Sequence, residues 1–483
     1  MQRDDMAPPM INKEMTDVTL RTKMALSASA LLVMGAAAPV TEGLAQAAGK
    51  TVITVAYEFS PGSSSNPTGT FLNTVSKEFE KQHPGVVVRP QEIIADEGAY
   101  YTKLDLEERS AQTAPNVVMQ DTFLISSSEA AGYLTNLTPY VKKWAGWKEF
   151  YPAMKKITSY GGKIWGISNG TDDRYLWYNK DLFKKAGLPV PWHPKTWAQV
   201  LAAARTIKKK LPGVTPMNVY SGVPMDEAAT MQGFEMLLYG TGYSLYDYHD
   251  GKWVVKSPGF LQALKFIKTL YGTGLGPSLG QALNSDMGTQ VSDTMLPKGQ
   301  LAIDLDGMWL PSSWEVKGSS SYWPQWSKVL GYTPMPTENG QAPGYTTLSG
   351  GWSWAISAHS KNKALSWDLI KLMANKPNTA LYDHLVVNLS PRKDSAALPI
   401  YSQTAANIPW STKLLSHTFF RPAYPPYAKI SVQIDTAMED VMTGQDSPQQ
   451  AMNAYAKAVA GIVGSAHVET LSHPEAKAQL RPS

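Results

Sequence analysis

The chain has 483 residues, of which 43% are hydrophobic and 17% charged, with a formal net charge of +4. That length supports two or three domains with cores of their own, and the composition excludes a disordered chain. The charge is too mild and too scattered for a nucleic-acid groove: Lys208 to Lys210 is the only obvious basic triplet, and it reads as a solvated helix end.

Residues 1–47 read as an export signal. Arg21 and Lys23 precede the apolar run Met24 to Ala38, and Ala45-Gln46-Ala47 supplies small residues for cleavage. The stretch before Arg21 is long for such a signal, so Met15 and Met24 are alternative starts. Without residues 1–47, which hold four basic and five acidic residues, the charge becomes +5. The sequence contains no cysteine. Disulfides, thiolate metal sites and a lipid-bearing cysteine are therefore excluded, and the expectation is a periplasmic protein without a lipid anchor. The histidines show neither HExxH nor a helical metal pair, and no GxxxxGK[ST] loop occurs, so neither metal nor cofactor is expected.

Thr51 to Phe59 reads as a strand, followed by a Gly/Ser/Pro loop containing Asn66. Phe71, Leu72, Val75 and Phe79 recur at helical spacing, His83-Pro84-Gly85 stops that helix, and Val86 to Val88 begins a second strand. A helix over Tyr101 to Arg109 and a third strand, Val117 to Met119, complete a β-α-β pattern that implies a parallel sheet. Glu58, Glu92 and Asp121 then stand at carboxyl ends of strands, where they could bind hydroxyl or ammonium groups or simply cap the following helices.

Gly161-Gly162 predicts a hairpin. Tyr175 to Leu188 reads as a strand running into a helix capped by Asn179 or Asp181 and ended by Gly187. In Met231 to Gly240 an apolar helical stripe carries Glu235 near its buried face, where an acid needs a salt bridge or a ligand. Gln232 and Tyr239 lie on the same helix. Leu301 to Leu305 reads as a buried strand that passes Asp304, Asp306 and Gly307 to deliver Trp309, either core or binding surface. Gly350-Gly351 weaken the strand carrying Trp352 and Trp354, as if something approaches the backbone closely.

Tyr178 to Leu188, preceded by Gly162 to Ile167 and followed by Pro194-Lys195-Thr196-Trp197, resembles the central signature of the family 1 extracellular solute-binding proteins, the sugar-receptor subunits of ABC importers. Leu296 to Trp309, Tyr332 to Ile356, Ala364 to Met373 and Ile430 to Tyr455 resemble later family segments in the same order. The resemblance spans roughly Thr51 to Gly464.

It implies an α/β fold of two discontinuous lobes with the ligand between them: an N-terminal lobe of residues 48–168 and 332–388, and a C-terminal lobe of residues 169–331 and 389–483. Crossings would fall near Ile167 to Asn169, Gly331 to Thr333 and Leu389 to Pro391. It further implies a monomeric, non-catalytic receptor that hands a mono- or oligosaccharide to ABC permease subunits. The expected ligand contacts are Trp309, Trp352, Gly350, Gly351, Asp121, Glu235, Asp306, Asn66 and Glu58, with one of Asp172 and Asp173 pointing into the cleft, Arg174 an alternative donor, and Arg392 either reaching the cleft or locking the hinge.

Two other functions remain open. A glycoside hydrolase would pair Asp304 with Asp306 or Asp172 with Asp173, yet residues so close in sequence do not face each other across a substrate. A non-sugar ligand is the other: acids with few aromatics would favour a polyamine or other cation, and clustered Arg and Lys a polyol phosphate; a peptide is also conceivable.

Overall fold

The computed structural model describes residues 49–474, and the export signal expected at residues 1–47 lies outside them. Among the described residues no helix is long and apolar enough to cross a membrane.

Two sheets organise the chain. In the first, the strands run in the order Val86–Ile94, Thr51–Phe59, Val117–Asp121, Trp352–Ile356, Gly166–Ser168. The first three are mutually parallel, as the β-α-β reading requires, and the last two alternate in direction. Helix Pro67–Gln82 buries Phe71, Leu72, Val75 and Phe79, the residues at helical spacing. They pack on the sheet with Trp354 and Tyr382. The second sheet has the order Leu330–Thr333, Arg174–Asn179, Leu301–Gly307, Thr215–Asn218. Every residue of Leu301–Gly307 is buried, acids included. Helix Lys180–Ala186 starts at Asn179, whose side chain accepts from the Asp181 and Leu182 N–H groups, and stops at Gly187 with φ 75°.

Two expectations about elements needed revision. The Met231 to Gly240 helix begins as a π-helical stretch, Ala228–Glu235, before turning α-helical over Met236–Gly240. Within that stretch, an added Cβ at Gly233 would stand 2.2 Å from the Tyr220 carbonyl oxygen, so the backbone lies against its neighbour. The second crossing also falls later than Gly331 to Thr333. Leu330–Thr333 still pairs with Arg174–Asn179, and the chain joins the first sheet only at Trp352.

The chain therefore passes between sheets through three adjacent segments. Thr171 and Leu389 exchange backbone hydrogen bonds of 2.9 and 2.8 Å, and the Thr171 hydroxyl donates to the Gly350 carbonyl at 2.9 Å. Gly351 makes the tightest approach: its φ is +134°, and a Cβ there would lie 2.5 Å from the Gly170 carbonyl oxygen. A side chain would force the crossings apart and strain the backbone as well. Gly351→Ala is expected to cost about 1–3 kcal/mol in urea unfolding.

Candidate functional site

A cavity of about 410 Å³ opens between the two sheets, lined by residues from both. It sits where strands end: Glu58 and Asp121 close two strands of the first sheet, Asp306 is near the end of a strand of the second, and Trp352 pairs in register with Asp121. Crevices outside strand carboxyl ends are the usual ligand positions in α/β folds.

The lips of the cavity touch. The Ser64 N–H donates to Asp293 at 3.2 Å, the Thr289 hydroxyl donates to the Pro61 carbonyl at 3.3 Å, and the hydroxyls of Ser64 and Ser321 share a hydrogen bond. Deeper, the Asp226 carboxylate rests against Gly98, in the first turn of helix Glu97–Glu108. A helix start favours negative charge there.

Of the residues expected to bind, Glu58, Asp121, Asp172, Asp306, Trp309, Gly351 and Trp352 line this cavity. Asp306 is held by Tyr220 at 2.8 Å, by Gln232 at 3.4 Å and by the Gly307 N–H at 2.6 Å. Asp304, two residues earlier, is fully buried and accepts from Asn218 at 3.0 Å inside the sheet. Trp352 packs its edge on Tyr100 and Tyr101, with centroids 5.8 and 5.9 Å away, and keeps part of its surface exposed. Trp309 differs from expectation in one respect. The Arg174 guanidinium already lies over its ring at 4.7 Å, so part of the indole is occupied by the protein.

The remaining five expected residues lie outside the cavity lining. Asp173 is 0% exposed, whereas its neighbour Asp172 reaches the cleft. Glu235 is likewise 0% exposed; one of its oxygens accepts from Tyr427 at 2.7 Å, and the other has no hydrogen-bond partner among the described residues. Arg392 pairs with Asp394 at 2.9 Å, donates to the Ala374 carbonyl and covers Phe150, outside the lining of the cleft. Asn66 caps helix Pro67–Gln82 and donates to Glu92 at 2.6 Å. Gly350 uses its N–H on Asp172 at 2.7 Å and faces a second, more apolar cavity of about 810 Å³ behind the crossings, lined by Phe123, Tyr151, Tyr160, Tyr401 and Tyr424 among others.

Sequence reasoning missed the residue at the base of the cleft. Arg421 is buried and donates to both oxygens of Asp121, at 3.0 and 3.2 Å, and to Glu227 at 2.8 Å. Its guanidinium sits 3.9 Å from the Phe123 ring centroid. One cation thus ties the acid that ends strand Val117–Asp121 to the acid that precedes the π-helical stretch Ala228–Glu235. Glu97, Asp226, Glu227 and Tyr220 were also missed; the only visible signal was a Pro-containing loop, Val223 to Asp226, before an apolar helix.

Burial raises several acids here. Desolvation pushes Glu58 up to about 7, helped by the charge of Asp96. Desolvation also pushes Asp226 to about 7, with Glu227 and Asp96 adding repulsion, and Asp306 to about 6. The unfolded chain releases these protons near ~4 to ~4.5. The folded protein binds more protons between those limits, so stability is greatest at the acidic end and falls as pH rises through 6 and 7. The melting temperature without ligand is therefore expected to be lower at pH 8.5 than at pH 5.5.

A family model described as bacterial extracellular solute-binding protein matches residues 62–380. A putative binding protein of Brucella abortus is 24% identical over 394 residues, covering 81% of this chain and 89% of its own. Among solved structures, the GacH receptor of Streptomyces glaucescens, studied unliganded and with acarbose, superposes with a TM-score of 0.73 at 21% identity, over 86% of this chain and 99% of that one. An ABC transporter solute-binding protein of Thermotoga lettingae bound with α-D-tagatose gives 0.74 at 24% identity, over 86% and 100%. At such identities the likeness to these structures establishes a shared fold.

Proposed function

The chain belongs to the bacterial extracellular solute-binding protein family, and from that premise we propose that it is a periplasmic receptor that captures a carbohydrate between its lobes and delivers it to an ABC permease. The observation that carries this reading is the cleft itself: a cavity of about 410 Å³ in which Trp352 and part of Trp309 stand among acids already oriented by protein hydrogen bonds. Rings bury the apolar faces of a sugar, and carboxylates accept from its hydroxyls in charge-assisted bonds. The volume suits a short saccharide. The moving bodies are the two lobes, hinged at the crossings beside Thr171, Gly351 and Leu389, and their closed surface is what a permease would read.

The protein acts without catalysis in this reading. Asp306 is committed to Tyr220 and Gln232, Asp304 to Asn218, and Asp172 to Arg174, which leaves none of these acids arranged as a hydrolytic pair. A phosphorylated ligand is disfavoured by the absence of lysine from the lining and by the engagement of both arginines with acids. Calorimetric titration with a panel of mono- and oligosaccharides tests the proposal. Saturable heat with a change in tryptophan fluorescence is expected, and a panel without any binder would refute it.

A further inference from the structure

The charge of the cleft says more about the ligand than its shape does. Nine carboxylates line the cavity against two arginines, with no lysine or histidine in the lining. The arginines are spent: Arg421 is paired with Asp121 and Glu227, and Arg174 with Asp172. Six acids are left without a cation, Glu58, Asp96 and Glu97 on the first lobe and Asp226, Asp286 and Asp306 on the second.

Their protein contacts explain their positions but not their charge. Asp96 caps helix Glu97–Glu108, Glu97 accepts from Tyr101, Glu58 accepts from Ser60 at 2.8 Å, and Asp306 accepts from Tyr220, Gln232 and a backbone N–H. All of these donors are neutral. The start of helix Glu97–Glu108 gives partial compensation to Asp96 and Glu97, which form it, and to Asp226 beside Gly98, without supplying a full positive charge.

A second feature, independent of the charge count, marks the same cavity as built to be filled. Asp172 is only 8% exposed, and both of its hydrogen bonds, from Arg174 and from the Gly350 N–H, land on Oδ1. Its Oδ2 accepts from none of the described residues while the side chain lines the cleft. Beside it, the buried Nε of Arg174 has no hydrogen-bond partner among the described residues. A carboxylate oxygen is thus held at the cavity wall with hydrogen-bonding capacity unused, beside a guanidinium N–H that is buried and unpaired.

Resting on the carbohydrate reading above, we propose that the ligand carries a positive charge, as an aminated sugar whose ammonium group sits between the acids of the two lobes while its hydroxyls meet Asp172, Arg174 and Asp306. A neutral sugar would leave Glu58, Asp96 and Glu97 facing Asp226 and Glu227, with Arg421 already paired to Asp121 and Glu227. Closure then has to drive protons onto carboxylates, which is the direction in which Glu58, Glu97 and Asp226 are already pushed. An ammonium group supplies the missing charge instead and lets them stay ionised.

Matched probes test this by calorimetry at pH 6.5 and low salt: glucosamine and its β-1,4-linked dimer against glucose, cellobiose and the N-acetylated counterparts. At least tenfold tighter binding of the aminated member is expected, with the preference shrinking when sodium chloride is raised and in the Glu97→Gln/Asp226→Asn double variant. Neutral members that bind equally or more tightly overturn the inference and leave the carbohydrate reading standing. A preference unchanged in the double variant also overturns it, since the charge would then be read elsewhere. If no sugar of either kind binds, the carbohydrate reading fails, and putrescine and spermidine decide the charge: their binding sustains it, and their failure to bind refutes it.

Discussion

Arg421→Ala is expected to destabilise the protein by about 3–5 kcal/mol, the cost typical of leaving buried charges without their partner. The side chains of Asp121 and Glu227 are 3% and 5% exposed, and one guanidinium serves both. Removing it strands a carboxylate on each lobe and uncovers the face of Phe123. Lysine keeps the charge but cannot reach two acids with one planar fork, so Arg421→Lys should fall between wild type and alanine. The diagnostic result is rescue. Arg421→Met combined with Asp121→Asn and Glu227→Gln removes the stranded charges along with the cation, and should recover much of the loss in urea unfolding. No recovery would mean that Arg421 acts through packing instead.

The second large effect separates two tryptophans that stand two positions apart on one strand. Trp352→Ala is expected to weaken sugar binding by about 2 kcal/mol, roughly thirtyfold in Kd, as for a binding hot spot. Trp354→Ala should instead cost about 3–5 kcal/mol of stability. Alternation along a strand places both on one face, yet Trp354 is 1% exposed against Phe71 and Tyr382 whereas Trp352, at the strand's end, reaches the cavity. Parallel titrations and melts of the two variants give the comparison. Equal loss of affinity and stability in both would erase the distinction.

Which residues were legible in the sequence follows from how local their determinants are. Strand ends, the Asn179 cap, the Gly187 stop and the Gly161-Gly162 hairpin depend on neighbours a few residues away, and periodicity with turn chemistry finds them. The acids at strand ends were legible for the same reason, since a strand's direction fixes where its last residue points. Glu235 was not: its partner Tyr427 is 192 residues away, and an acid on an apolar stripe looks the same whether a tyrosine or a ligand satisfies it. Arg421 left no local trace, because Asp121 is 300 residues distant and Glu227 is 194. Asp172 and Asp173 show the limit at its finest. Adjacent residues face opposite ways, so one of the pair was bound to be hidden, but which one depended on the crossing geometry at Gly350.

Capture of sugar by closure of the two lobes is open to direct measurement, because the sequence contains no cysteine. Leu106 on the first lobe is 55% exposed and Val432 on the second is 44% exposed, so both accept cysteine and a spin label without disturbing a core. Pulsed electron double resonance on the Leu106→Cys/Val432→Cys protein should show a broad distance distribution without ligand. Saturating sugar should narrow it to the single separation of the closed arrangement. A distribution left unchanged by a sugar that calorimetry shows to be bound would contradict capture between the lobes.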